Sequence, residues 1–332
     1  MKKIFIGSDI SKLKLDVCLL GDDQIQDETV LVNRISDIKI YLQGLLRSYR
    51  PEDILICAEY TGQYIYPLCC ASTELGINLW LENPAEIKYR SGMRRGKNDR
   101  MDAFKIASYA CRFQDNARLF TLPEQTIREL KQLVSERDLY MVDKSKYKGQ
   151  LTDQGSYMDR EDYKRKSKRL KKQIKALTQS ISEVEDEMHE RIRSNPVLLR
   201  QYELLCSVEG IGEKTAIKMI VTTNAFRDFK DARKFCCHAG VAPFSYVSGS
   251  SQRSRNRVSH RADKSIKKLL HMAAMSVIKN PGELRNYYLR KVEEGKNKML
   301  VINAVRAKLV LRMFAVIKND QMYQKNYINP LV

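Results

Sequence analysis

Short apolar runs separated by turns organise the first third of the chain. The runs at 2–9, 15–20, 29–32, 53–59 and 78–81 predict buried strands, because apolar segments of this length are typical of sheet cores. Amphipathic spacing predicts helices at 36–47, with Ser36 as N-cap, at 66–75 and within 96–113. The pattern therefore predicts an α/β domain over residues 1–120.

Longer stretches with helical spacing of apolar residues begin after Pro123. Apolar spacing predicts a helix at 127–141, a polar loop or weak helical tip at 144–163, and a heptad seam from Leu170 to Met188. These features predict an antiparallel coiled-coil connector at 121–195 that also associates with another subunit. Beyond Pro196, predicted helices at 226–240, 265–278, 283–292 and 298–317 indicate a mostly helical domain over residues 196–332.

Four acidic residues are candidates for a metal site. Asp9 and Glu59 end two predicted strands, and strand ends are where α/β proteins place their functional residues. Asp99 and Asp102 are three residues apart, so a helix projects both from one face, although such a pair alone is also typical of a solvated face. Clustered carboxylates repel one another, and hard divalent cations relieve that repulsion. The set predicts two Mg²⁺ ions, with Mn²⁺ as a substitute, as used in phosphodiester chemistry.

The charge of the chain indicates a polyanionic partner. Lys and Arg number 59 against 40 Asp and Glu, a net charge of +19, and nucleic acid is the usual partner of such a protein. No apolar run is long enough to cross a membrane and no signal peptide is evident, so we expect a cytoplasmic protein without a membrane partner. The eight cysteines include no C-x-x-C pair, which argues against a zinc site.

Three groups of residues are candidates for binding nucleic acid. A basic loop precedes the predicted Asp99 helix, a Gly-Ile-Gly turn resembles the hairpin of a helix-hairpin-helix element, and a cluster of arginines follows a Ser-Gly segment. The residues are Arg94, Arg95 and Lys97; Gly210, Gly212 and Lys214; and Arg253, Arg255, Arg257 and Arg261. A solvated loop, a tight interhelical turn and an ordinary linker are the respective structural alternatives.

A serine nucleophile is a further candidate. Ser248, Ser250 and Ser251 stand with Gly249 just before the arginine cluster, and guanidinium groups beside a hydroxyl would stabilise the charge that develops on an attacked phosphate. From the pattern alone, a flexible linker is the simpler interpretation. Tyr287 and Tyr288 are alternative nucleophiles of the tyrosine-recombinase kind, but the Arg/His constellation of that chemistry is not evident.

Both halves of the chain resemble one family. The strings IGSDISKLKLDV, CAEYTGQY, KNDRMDAFKIA, GVAPFSYVSGSS and HRADKSIKKLL resemble the Piv/MooV-type DEDD transposases and invertases of insertion-sequence family one-ten. The chain departs from that pattern at 241–243, Val-Ala-Pro in place of Leu-Thr-Pro, and at 262–263, Ala-Asp in place of Lys-Gly. The resemblance implies a RuvC-like domain of ribonuclease H type with Asp9, Glu59, Asp99 and Asp102 as metal ligands, and Ser248 as nucleophile.

The resemblance also implies a function. It implies a transposase or recombinase of an insertion sequence, which cleaves and exchanges donor and target double-stranded DNA through a 5′-phosphoserine intermediate. It further implies a structured bridge RNA, a homo-oligomer (dimer or tetramer) with composite active sites, and a bacterial or archaeal protein that associates with the nucleoid when active. A RuvC-like nuclease or junction resolvase that uses water, and a non-enzymatic nucleic-acid-binding protein, stay open as alternatives.

Overall fold

The chain folds as two compact units, Met1–Leu122 and Pro123–Val332. The computed structural model describes residues 4–22, 24–90, 98–242, 247–248, 252–253, 258 and 262–325, with the backbone alone at 247–248 and 252–253. None of the helices in these ranges combines the length and apolarity that a membrane crossing requires.

A five-stranded mixed sheet forms the centre of the first unit. Its strands are β1 (Ile4–Ile10), β2 (Lys14–Gly21), β3 (Gln24–Val32), β4 (Ile54–Glu59) and β5 (Asn78–Glu82). The spatial order is β3-β2-β1-β4-β5. Strand β2 is antiparallel to its neighbours β3 and β1, whereas β4 is parallel to its neighbours β1 and β5. This sheet and the helix that follows it confirm the predicted ribonuclease H-like, RuvC-like architecture.

Helices cover both faces of the sheet. One face packs against α1 (Ile35–Leu45) and α2 (Tyr66–Glu74), and the other against α3 (Pro84–Arg90) and α4 (Asp99–Phe113). Alternation along β1 sends Ile4 and Ile6 to the first face and Phe5 to the second, so the two cores are separate. The predicted N-cap Ser36 is wrong: Arg34 occupies that position without a side-chain cap, and the Ser36 hydroxyl donates to Asp37.

A long antiparallel helical hairpin opens the second unit. It consists of α5 (Gln125–Asp153) and α6 (Arg160–Arg193), joined by a six-residue connection at 154–159. Of the two predictions for 144–163, the polar loop is wrong and the helical tip is correct, because α5 continues to Asp153 and α6 begins at Arg160. The Tyr163 hydroxyl joins the two helices at this tip by donating to the Leu151 carbonyl at 2.6 Å. The predicted seam packs against α5, and its buried members are Ile181, Val184 and Met188.

The remaining helices share one core with the base of the hairpin. They are α7 (Pro196–Ser207), α8 (Glu213–Thr222), α9 (Ala232–His238), α10 (Lys264–Lys279), α11 (Glu283–Glu293) and α12 (Lys298–Asn319). Leu130 of α5, Ile217 of α8, Leu270 of α10 and Leu309 of α12 all belong to this core. The division into a connector at 121–195 and a domain at 196–332 stays a prediction.

One predicted helix is wrong in its first half. The segment predicted as a helix at 226–240 is helical only from Ala232 to His238. Before it, Asn224, Ala225 and Phe226 have left-handed backbone, with φ of 50°, 53° and 62°. Successive left-handed residues do not continue a right-handed helix, so the chain turns sharply here.

Candidate active site

Asp9 and Glu59 end neighbouring parallel strands on the same face of the sheet. The register pairs Ser8 of β1 with Ala58 of β4, so the next residue of each strand is the acid. Phe5 of β1 and Cys57 of β4 belong to the core under α4, and side chains alternate along a strand. Both carboxylates therefore project towards the side of the sheet that α4 covers.

Helix α4 brings Asp99 and Asp102 to the same place. The Asn98 side chain accepts a hydrogen bond from the Arg100 amide at 3.2 Å, so the helix begins at Asp99 with a satisfied cap. Asp102 follows three residues later, on the same side of the helix. The four predicted acids thus lie on two strand ends and the first turn of one helix.

The close approach of α4 to β1 depends on Gly7. A Cβ atom at this position would lie 2.1 Å from the Ala103 carbonyl oxygen and 2.3 Å from the Ala107 amide nitrogen. Only glycine leaves room for the helix backbone at that distance. Because Asp9 is two residues from Gly7 and Asp102 adjoins Ala103, this contact sets the separation of the two acids.

Electrostatic interactions couple the acids to one another. The pKa of Asp9 is raised first by burial and then by the negative charges of Asp102, Asp99 and Asp16. The pKa of Glu59 is raised by burial and by the charges of Asp9 and Asp102. Burial and mutual repulsion both oppose ionisation here, so a nearby positive charge would stabilise the ionised acids.

Two lysines already pair with the acids of α4. The Lys14 ammonium lies 2.9 Å from the Asp99 carboxylate and 2.8 Å from Asp16, and both contacts raise the pKa of Lys14. The Lys105 ammonium lies 2.7 Å from Asp102. Lys14 therefore ties the start of α4 to β2.

Two further carboxylates lie at this sheet edge and were not among the predicted acids. Asp16 of β2 is the cross-strand partner of Asp9 and is only 5% exposed, and Glu82 of β5 is the partner of Glu59. Four acids consequently stand in one row across four strands. The sequence signal for Asp16 is the alternation along β2, which places Asp16 on the same face of the sheet as the buried Cys18 and Leu20.

The donor set fits a hard divalent cation. Carboxylate oxygens are the ligands that Mg²⁺ and Mn²⁺ prefer, and clustered acids whose pKa values are raised gain most from such an ion. Within the described ranges, no three acids, histidines or cysteines already stand in coordinating geometry. Asp99 and Asp102 are instead held by lysines, so binding would exchange these ion pairs for metal ligation.

The Gly-Ile-Gly turn joins α7 to α8, as a helix-hairpin-helix element requires. Gly210 has a φ of +81°, and a Cβ there would lie 2.2 Å from the Val277 side chain, so this glycine serves packing against α10. Gly212 caps α8 and has open space around it. Lys214 is ion-paired with Glu185 of α6 at 3.0 Å, which engages its charge within the protein.

Ser248 lies in a short antiparallel pair of strands. Ser248 in β6 (Val247–Ser248) pairs with Gln252 in β7 (Gln252–Arg253). Arg253 pairs with Val247 through the backbone. The other predicted nucleic-acid contacts lie outside the described residues: Arg94, Arg95, Lys97, Arg255, Arg257 and Arg261.

Sequence comparisons find relatives over the whole chain. Pilin gene-inverting proteins of Moraxella bovis and Moraxella lacunata are 24% and 25% identical to it, over 98% of this chain and 99% of theirs. An uncharacterized 44.8 kDa protein of insertion element IS116 from Streptomyces clavuligerus is 25% identical, over 46% of this chain and 37% of its own. Among solved structures, T. thermophilus RuvC with a Holliday junction substrate matches 35% of this chain and 99% of its own, at 14% identity and a TM-score of 0.28.

Two family profiles match consecutive parts of the chain. The DEDD transposase profile of IS110 type matches residues 6–154, a range that includes all four predicted acids. The profile of the IS116/IS110/IS902 transposases matches residues 202–289, which include Ser248. The chain belongs to the IS110-type family of DEDD transposases.

Proposed function

We propose that this transposase cuts and rejoins DNA strands with a serine nucleophile and a divalent metal site. Asp9, Glu59, Asp99 and Asp102 hold the metal, and Ser248 attacks the phosphate. The observation that carries the proposal is the placement of the four acids on two neighbouring strand ends and on the first turn of α4, where the charges of Asp102 and Asp99 add to burial in raising the pKa of Asp9. Acids that meet across a strand and a helix, at a separation set by Gly7, are arranged as a cation site.

The acids would act by binding and orienting. Bound Mg²⁺ would supply Lewis-acid stabilisation of the charge on the scissile phosphate and on the leaving oxygen. Asp9 and Glu59, fixed on the rigid sheet, would hold one side of the site. Asp99 and Asp102 would enter it by releasing Lys14 and Lys105, which pair with them at 2.9 and 2.7 Å.

The serine chemistry conserves the number of phosphodiester bonds. The Ser248 oxygen would form a bond to phosphorus while the bond from phosphorus to the 3′ oxygen breaks. The serine proton leaves to solvent and the 3′ oxygen takes up a proton, which gives a 5′-phosphoserine and a free 3′-hydroxyl. Attack of another 3′-hydroxyl on the phosphoserine reverses the step and releases the serine. Because bond energy is conserved, the exchange needs no ATP.

The partners are proposed on charge and resemblance. Donor and target DNA, and a structured bridge RNA that pairs with both, suit a chain with a net charge of +19. A dimer or tetramer would bring Ser248 of one subunit to the acids of another. Leu139 and Val142 on α5 are 58% and 65% exposed and are candidates for that subunit contact.

A covalent-trapping experiment tests the proposal. The protein would be co-expressed with the DNA that flanks its gene, so that any encoded RNA is present. The complex is then mixed with labelled junction DNA and Mg²⁺ and run under denaturing conditions. We expect a protein–DNA adduct that Ser248→Ala, Asp102→Asn or a chelator abolishes, whereas Ser251→Ala, three residues away, keeps it.

The alternatives give different results in the same experiment. Cleaved DNA without an adduct, unchanged in Ser248→Ala, would refute the serine mechanism in favour of a nuclease that uses water. Binding without cleavage or adduct, in a preparation that contains the RNA, would indicate a non-enzymatic binding protein.

A further inference from the structure

Helix α12 buries a positive charge without a counter-ion. Arg306 is 6% exposed, and its guanidinium donates to His271 Nδ1 at 2.6 Å and to Asn303 Oδ1 at 3.3 Å. Its Nε is buried and has no hydrogen-bond partner. Within the described part of the chain, no carboxylate forms an ion pair with Arg306, and buried charges in proteins are otherwise almost always paired.

A second cation stands beside it. Lys267 and His271 are four residues apart on α10, so they share one helix face, and this face packs against α12. Burial and the positive charge of Arg306 lower the pKa of both side chains. Arginine can only donate, so His271 accepts at Nδ1 and, as neutral imidazole, keeps an N–H donor at Nε2. The cluster thus offers donors and positive charge, with no carboxylate among them.

This cluster lies where the Ser248 segment leaves and rejoins the helical core. Asn303, which accepts from Arg306, donates to the Val241 carbonyl at 2.6 Å. A Cβ atom on Gly240 would lie 3.7 Å from the Lys267 ammonium. Ser248 follows Val241 by seven residues, and the stretch 243–261 contains no Asp or Glu. The segment that carries the serine therefore brings no carboxylate of its own to neutralise Arg306.

We propose that Arg306, Lys267 and His271 form a phosphate-binding site for the DNA strand that is presented to Ser248. A phosphodiester supplies the missing negative charge, and its two free oxygens match the fork of donors on a guanidinium group. The identity of this phosphate rests on the proposed serine function. The existence of an anion site rests only on the geometry of the cluster.

Thermal unfolding of the full-length protein in inorganic phosphate, against chloride at equal ionic strength, tests the anion site. Phosphate should raise the unfolding temperature of the wild type, and Arg306→Met should weaken the apparent phosphate affinity by about ten-fold or more. In chloride alone Arg306→Met should be at least as stable as the wild type, because it removes an unpaired buried charge. The control is Arg312→Met on the same helix, since Arg312 has Glu283 as counter-ion; it should keep the phosphate response.

Two results would overturn the anion site. One is a phosphate response that is unchanged in Arg306→Met, and the other is a wild type without any response. If Arg306→Met fails to fold, Lys267→Met serves in its place, and an unchanged phosphate response in that variant refutes the site equally.

The adduct assay tests the link to Ser248 separately. Arg306→Met should form the adduct at least about ten-fold more slowly than Arg312→Met. An adduct formed by Arg306→Met at the wild-type rate would refute the placement of the site beside the serine. If the wild type forms no adduct at all, the serine proposal has failed, and the phosphate titration still decides whether the cluster binds phosphate.

Discussion

Substituting Gly7 by alanine should separate the acids of α4 from those of the sheet. The added Cβ would lie 2.1 Å from the Ala103 carbonyl oxygen and 2.3 Å from the Ala107 amide nitrogen. Restoring ordinary van der Waals contact requires the helix to move away by about 1 Å or more. The contact is between backbone atoms of a helix and a central strand, so no side-chain rotation can relieve it.

The expected effects follow from that displacement. Overpacking of this kind costs about 1–3 kcal/mol, so the protein should fold with an unfolding temperature lowered by several degrees. A misplacement of about 1 Å between catalytic groups lowers the rate about 100-fold. Adduct formation in the trapping assay, measured well below the unfolding temperature, should fall by that factor, and calorimetric titration with Mg²⁺ should show weakened binding.

The matched control is Gly44→Ala. Gly44 lies in α1, and a Cβ there would meet nothing within 4 Å. Alanine should be neutral or stabilise the helix by up to about 1 kcal/mol, without any change in Mg²⁺ binding. If Gly7→Ala bound Mg²⁺ and formed the adduct like Gly44→Ala, the close approach of α4 to β1 would not set the geometry of the site.

Three further predictions concern other contacts. Lys14→Met removes the ion pair between Lys14 and Asp99, so Mg²⁺ should raise the unfolding temperature more in the variant than in the wild type. An equal increase of the unfolding temperature in both proteins would contradict the metal site. Although burial raises the pKa of Glu185, hydrogen bonds from Arg137 and Lys214 hold it below its usual 4.5, so its stabilising effect is present above that pH and lost below. Denaturant unfolding should find Glu185→Gln less stable than the wild type at pH 7, with a difference that shrinks as the pH falls below 4.5. Gly210→Ala should destabilise by about 1–3 kcal/mol because it strikes Val277, whereas Gly212→Ala should be tolerated; equal stabilities would contradict the packing role of Gly210.

The strands and their acids could be predicted because burial imposes a simple pattern. Apolar runs mark β1 and β4, and Asp9 and Glu59 break the pattern where the chain leaves the core. Asp16 was not predicted because β2 begins with the charged Lys14, so the start of this strand resembles a solvated strand end in sequence. Only the cross-strand register shows that Asp16 faces Asp9.

Features set by tertiary contacts could not be predicted in the same way. Glycine at 149 and a polar composition left a loop and a weak helical tip as equal predictions, and α5 continues because α6 pairs with it along its length. The left-handed turn at 224–226 uses no glycine, and Asn224 alone of its three residues is of a type that favours left-handed backbone, so the local signal was weak. Arg306 resembles any charged residue of an amphipathic helix, and only the packing of α10 on α12 reveals that it is buried.

The two ends of the segment that carries Ser248, at Gly240 and Ala262, lie next to each other, so this segment can be replaced without separating the helices on either side of it. The Asp263 amide donates to the His238 carbonyl at 2.9 Å, and a Cβ on Gly240 would strike that of Ala262 at 2.5 Å. The helical core has thus already brought the ends together, and halving the connecting length changes the closure entropy by only about 0.6 kcal/mol. A short Gly-Ser bridge in place of 243–261 should therefore give a folded chain without Ser248, in which the contribution of the rest of the protein to DNA binding can be weighed alone.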